Sequence, residues 1–199
     1  WDLFLQTAIE SGWFRPGSPE CAAVWLHIAE IVERWPKEQV ERARAACSST
    51  NPGDDLYFFD CTELYDRAAT ADPHPDTFRR WYNWERKRGN LQDAEYVAKR
   101  WSKELAGDIE PLLELMESTE GRGAFRKSLS FVEKAEQVDG VNPAVRRARF
   151  RLLARSAVRS LKDGRPDLAA KHLRSIDALE QARLGGRPLF LDGLRWACS

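Results

Sequence analysis

Residues 78–101 read FRRWYNWERKRGNLQDAEYVAKRW, two helical stripes joined by a glycine turn. Phe78, Trp81, Tyr82 and Glu85 recur at steps of three and four, which places them on one face of an α-helix. Leu91, Ala94, Ala98, Trp101 and Leu105 carry the same spacing on a second helix. Between them Gly89-Asn90 suits a left-handed helix end, so the stretch predicts an antiparallel hairpin with a very short turn. Trp81 and Trp101 belong to the stripes that must meet, worth about 2 kcal/mol each when buried. Trp84 falls off the stripe and is the aromatic expected either at a partner or against a neighbouring helix pair.

The same ruler extends along the chain. Gly89 is followed by Ala94 and Trp101, Gly123 by Ser128 and Ala135, and Gly164 by Ala169 and Ile176, at identical offsets. Gly89 to Gly123 spans 34 residues and Gly123 to Gly164 spans 41, the excess being about two helical turns, which leaves the helix face almost unchanged. Further breakers, among them Trp35-Pro36, Asn51-Pro52-Gly53, Pro73-His74-Pro75, Gly140 to Pro143 and Gly185 to Pro188, separate segments of roughly 10 to 20 residues, the usual length of helices. Leu56-Tyr57-Phe58-Phe59 comes closest to a strand, but Cys61, Leu64, Tyr65 and Ala68 continue it better as helix. Essentially no sheet is expected.

Ala68-Ala69-Thr70-Ala71-Asp72-Pro73 resembles the closing phrase of a tetratricopeptide repeat, an Ala followed five residues later by Pro. Ala135 to Gly140, ahead of Asn142-Pro143, resembles it with Gly in the Pro position. Trp81, Tyr82, Glu85, Gly89-Asn90 and Ala94 also resemble the related half-a-TPR repeats. The resemblance covers residues 60–183. It implies an all-α fold, a right-handed stack of antiparallel helical hairpins, serving as an interaction scaffold. On this reading the chain is one helical-repeat domain. Residues 1–59 form divergent N-terminal helices, including Glu20 to Arg34 and Pro36 to Cys47. Residues 184–199, with apolar Leu189, Phe190, Leu191, Leu194 and Trp196, form a capping segment.

Composition fits such a protein. Hydrophobic residues make up 43% and charged residues 31%, and Lys+Arg and Asp+Glu are both 31, so no net field points at nucleic acid or an anionic membrane. No apolar run reaches the length a spanning helix needs. Cys21, Cys47, Cys61 and Cys198 form no CxxC pair, the pattern of free thiols in a reducing, cytoplasmic compartment. The chain begins at Trp1 and its single Met is Met116, which reads as a segment of a longer protein that could carry a catalytic domain elsewhere.

Signals for chemistry are weak. Gly121-Arg122-Gly123-Ala124-Phe125-Arg126-Lys127-Ser128 resembles a phosphate-binding loop, but Arg126 stands where the second Gly belongs and helix rather than strand precedes it, so it reads as an inter-helix turn. His27, His74 and His172 lie far apart, and only His27 has a carboxylate, Glu30, within helical reach. Asp54, Asp55, Asp60 and Glu63 surround a helix start, where carboxylates cap free N–H groups. No metal or cofactor is expected, and no arrangement of a catalytic nucleophile with its base is present.

The most suggestive pattern is Arg147, Arg151, Arg155 and Arg159 on the helix from Asn142 to Asp163, a ridge of like charges at i+4 beside an apolar face of Phe150, Leu153, Ala157 and Leu161. Arg147, Arg151 and Arg155 have no acidic partners at that spacing on the helix. Carboxylates must then come from a neighbour, such as the helix of Glu133 and Glu136, or from a ligand. In tetratricopeptide-like arrays the first helix of each hairpin lines the groove. The resemblance therefore implies partner-binding positions at Arg79, Asn83, Arg86 and Lys87, then Glu114 and Glu117 with Leu113, then Arg147, Arg151 and Arg155. Arg79 with Asn83 resembles the pair with which some members hold a C-terminal carboxylate, whereas Glu114 and Glu117 would repel one. A mixed groove for an acidic helix or peptide, even from the same chain, is the expected function. An α-helical enzyme or cofactor-binding bundle, and a single-stranded RNA reader, are the alternatives.

Overall fold

The structure, a computed structural model, describes residues 19–50 and 60–181. The acidic pair Asp54 and Asp55, the Leu56–Phe59 run, the breaker at 185–188, the apolar segment 189–196 and Cys198 lie outside these residues, as does the side chain of Cys47. Among the described residues every regular element is an α-helix: α1 (Pro19–Glu33), α2 (Lys37–Thr50), α3 (Cys61–Ala71), α4 (Pro75–Lys87), α5 (Leu91–Glu104), α6 (Glu110–Gly121), α7 (Phe125–Asp139), α8 (Pro143–Lys162) and α9 (Pro166–Gln181). The fold is all-α and built of helical hairpins, as the periodicity predicts. No described helix is long and apolar enough to cross a membrane. The chain divides into two compact units, Trp1–Leu105 and Ala106–Ser199.

In the first unit α1 packs on α3, α3 on α4, and α4 on α5. The pairing of α1 with α3 is not apparent in the sequence, where α2 stands between them. Small residues permit it: Ala29, Ala68 and Ala69 are wholly buried, and the Cys61 thiol donates to the carbonyl of Ala29 at 3.9 Å. Beneath the α4–α5 hairpin lie Phe78, Trp81, Tyr82, Val97, Ala98 and Trp101, with Phe78 and Trp101 stacked at 6.1 Å between centroids. Leu91, expected on this stripe, is instead 64% exposed. It opens α5 beside the exposed Arg86-Lys87-Arg88 end of α4, which offers no apolar cover.

In the second unit α6 pairs with α7 and α8 with α9, and α7 packs on α8. Leu153, Ala154, Ala157, Ala169, Leu173 and Ile176 form the α8–α9 core, extended by Leu129, Phe150 and Leu161. The extra two turns between the second and third glycines fall in α8, which has 20 residues where α4 has 13.

Three turns repeat one construction. Gly89, Gly123 and Gly164 have φ of 80°, 74° and 68°, the left-handed region that favours glycine. In each, the glycine N–H donates three residues back, and the next N–H five residues back: Asn90 to Glu85, Ala124 to Thr119 and Arg165 to Ser160, at 2.9, 2.9 and 2.8 Å. This closure satisfies carbonyls the helix end would otherwise leave free. It also fixes the phase of the second helix, so the fifth and twelfth residues after each glycine (Ala94 and Trp101, Ser128 and Ala135, Ala169 and Ile176) are all buried. The loop at Gly121–Ser128 is one of these turns, and Ser128, buried, bonds Thr119 Oγ1 at 2.9 Å.

Glu85 explains its own motif. It is wholly buried, and its carboxylate accepts from Thr62 Oγ1 at 2.6 Å, Asn90 Nδ2 at 3.0 Å and Trp81 Nε1 at 3.3 Å. A buried carboxylate needs such donors, and here they join α3, α4 and the turn. The helix starts that follow the two closing phrases also match. His74 Nδ1 caps α4 from Asp76 N at 3.2 Å, Asn142 Oδ1 caps α8 from Ala144 N at 2.9 Å, and a Pro occupies the first turn of each.

At Gly89 a Cβ would meet nothing within 4 Å, so Gly89→Ala tests backbone strain alone. It should lower stability by about 1 kcal/mol in urea unfolding. Gly107→Ala, equally open and without a positive φ, should change it by less than about 0.5 kcal/mol in the same measurement.

Candidate functional site

The arginine ridge of α8 is answered from α6. Arg151 Nη2 lies 3.0 Å from Glu120 Oε2 and 3.4 Å from Glu117 Oε1, and Arg155 Nη1 lies 2.5 Å from Glu120 Oε1. The helix of Glu133 and Glu136 pairs instead with Arg149, through Glu136. The Glu120 side chain is 5% exposed, and one carboxylate holds two guanidinium groups that would otherwise repel. Arg159 reaches further, its Nη1 donating to the Gly123 carbonyl at 2.9 Å and its guanidinium lying 5.3 Å over Phe125, with Asp163 3.9 Å away. Arg147 is exposed and has no side-chain partner among the described residues. It stands on the two-turn extension of α8, a region with no counterpart in α4.

Of these side chains Glu120, Phe125, Arg151, Arg155, Arg159 and Asp163 border a groove of 700 Å³. Its floor is apolar (Phe125, Phe150, Ala154 and Val158), and its rim carries Arg151, Arg155, Arg159 and Lys162 against Glu120 and Asp163. The first unit has a cleft of 390 Å³, bordered from α4 by Arg80, Asn83, Trp84 and Lys87 and from α1 and the residue after it by Glu30, Glu33 and Arg34. Counted from their turn glycines, Arg80, Asn83, Trp84 and Lys87 occupy the same positions as Arg155, Val158, Arg159 and Lys162: nine, six, five and two residues before. The α4–α5 and α8–α9 hairpins thus turn the same four positions of their first helices to a cleft. The arginine nine residues before the glycine is salt-bridged in both, Arg80 to Glu30 and Arg155 to Glu120.

This register redistributes the residues that the sequence singles out. Asn83, Lys87, Arg151 and Arg155 border a cleft. Arg79 pairs with Asp76 on its own helix and Arg86 lies 5.7 Å over Tyr82, so Arg79 and Asn83 do not converge on one cleft. Glu117 meets Arg151, while Glu114 is half-buried and borders neither cleft. Sequence reading passes over Arg80, Glu120, Val158 and Lys162 as site residues. The distance to the turn glycine locates Arg80, Val158 and Lys162; Glu120 is found only through its ion pairs to Arg151 and Arg155. Trp84 is half-buried against the cleft with Arg88 5.3 Å over its ring, and its indole nitrogen is buried without a hydrogen-bond partner.

Groups that could carry chemistry are dispersed. His27 and His74 are exposed. Burial, with Lys171 alongside, pushes the half-buried His172 below the usual imidazole range. No three His, Cys, Asp or Glu residues among those described are placed to hold a metal ion. Burial, reinforced by the charges of Glu33 and Asp60, pushes the Cys61 thiol up to about 12. Tyr65, buried and donating to Glu33, is raised likewise.

No family model and no curated protein matches the chain. A solved structure titled "MamA 41-end from Desulfovibrio magneticus RS-1" is similar over 83% of this chain and 98% of that one, at 15% identity and a TM-score of 0.42, a likeness too distant to bear on function.

Glu120→Gln should cost roughly 2 kcal/mol in urea unfolding, because it removes the charge that holds Arg151 and Arg155 together. Cys61 should resist iodoacetamide at pH 8.5 in the folded protein and react once unfolded. The sign follows from its raised value: an unfolded thiol ionises near 8.5, so the stability Cys61 contributes is complete below that pH and is lost as pH rises toward about 12.

Proposed function

We propose that this chain is a non-catalytic interaction module that holds a protein segment in the groove of its second unit. The observation that carries this reading is the pairing of an apolar floor with a basic rim on one helix, α8, in a groove of 700 Å³. An apolar strip rimmed by charge is the character of a surface kept for a partner. The frame is suited to the task, because α8 is fixed by its N-cap at Asn142, by the α8–α9 core and by ion pairs to Glu120. A groove on packed helices needs no ordering when the partner arrives, which limits the entropic cost of binding.

Electrostatics favour an acidic segment. Four cations line the groove against two carboxylates, and Glu120 is already committed to Arg151 and Arg155. Glu114 and Glu117 do not act as a repelling wall in this reading. Glu117 faces Arg151, and Glu114 stands outside the groove. The basic wall is therefore Arg155, Arg159 and Lys162, with Arg151 at one end, rather than Arg147, Arg151 and Arg155.

Selection of a random peptide display library against the chain tests the proposal. Enriched peptides should combine apolar and acidic residues, and their affinity should fall at least tenfold for Arg155→Glu/Lys162→Glu with the thermal midpoint retained. Enriched peptides whose binding ignores both substitutions, or no enrichment at all, would remove the groove as the binding site.

A further inference from the structure

Resting on that reading, we infer that the occupant of the second unit's groove is an α-helix carrying an apolar ridge and an acidic ridge side by side, both at four-residue spacing. The inference comes from how α8 builds its two rows. Phe150, Ala154 and Val158 recur at steps of four and form the apolar floor. Arg151, Arg155 and Arg159, each one residue later, form a second row parallel to it and continue to Lys162. Both rows run along the i±4 ridges of the helix. From Phe150 to Lys162 they extend about 18 Å, room for about three turns of a partner helix.

Two parallel rows on one face select the secondary structure of what binds them. An extended segment places successive residues on opposite sides, so it can set an apolar or an acidic row against α8 but not both as neighbours. A helix presents two adjacent i±4 rows on one face. Packed ridge into groove, it brings an apolar row onto Phe150, Ala154 and Val158 and a carboxylate row onto the cations beside them. The charge remaining on the rim favours one end. Glu120 divides its carboxylate between Arg151 and Arg155. Arg159 is held by a carbonyl and an aromatic face, with Asp163 at 3.9 Å, and Lys162 has no side-chain partner among the described residues. The partner's carboxylates therefore gain most at Arg155, Arg159 and Lys162.

Three stapled helical peptides of equal length and identical apolar ridge would be titrated into the full chain by fluorescence anisotropy. One carries Glu at the three positions next to the ridge, one carries Lys there, and one carries the same three Glu on the opposite face. The first should bind at least tenfold more tightly than either of the others. That advantage should shrink as salt rises from 50 to about 300 mM, because the pairs on an open rim are screened. Lys162→Gln, a change at an exposed side chain that holds nothing in place, should reduce the advantage about threefold without moving the thermal midpoint. Arg159→Gln/Lys162→Gln should reduce it further. Equal binding of all three peptides would overturn the inference while leaving an apolar interaction groove intact. No binding by any of them, together with failure of the library selection, would overturn the groove itself.

Discussion

The left-handed glycine at each inter-helix turn is the constraint on which the rest depends. A helix that ends there cannot drift, because two N–H groups close on fixed carbonyls of the last turn and the next helix starts one residue later. Everything downstream inherits that phase. Ala94, Ser128 and Ala169 are buried because they stand five residues after a glycine, not because they are small or apolar in themselves; Ser128 is a hydroxyl residue that the phase forces inside. Its burial then requires a partner, and Thr119 supplies one across the turn at 2.9 Å.

The same ruler operates backwards into the first helix. Residues seven, eight and eleven before the glycine face the partner helix, as Tyr82, Trp81 and Phe78 do, while before Gly89 and Gly164 those nine, six, five and two residues back border a cleft. The two units fill those positions differently. Asn83 stands where Val158 stands, and Trp84 where Arg159 stands, so one cleft is lined by mixed polar groups and the other has an apolar floor with a basic rim. Repetition supplies the geometry, and substitution at two of the four positions, with Arg and Lys kept at the other two, changes the chemistry.

Buried carboxylates complete the design. Glu85 ties a helix, a turn and a neighbouring helix together, and Glu120 converts a self-repelling arginine ridge into a fixed one. In both cases the acid is placed where several donors already converge, which offsets the desolvation that burying a charge would otherwise demand. The guanidinium groups of Arg151 and Arg155 are thereby held in place at the border of the second unit's groove.

The amino-acid sequence by itself determined the helices, the three turns and the phase between them, because capping, periodicity and left-handed glycines are local properties of a few neighbouring residues. It also located α8 as the charged helix of interest, and showed two extra turns between the second and third glycines without assigning them to a helix. Only the tertiary structure decided which helices meet. It paired α1 with α3 across α2, gave Arg151 and Arg155 to Glu120 and Glu117 rather than to Glu133 and Glu136, and left Leu91 uncovered. The two pairings depend on contacts between residues some 30 or more positions apart, where small side chains such as Ala29 and Ala68 set how closely two helices approach. No spacing within one helix encodes such a contact, and so the ridge was legible while its partner was not.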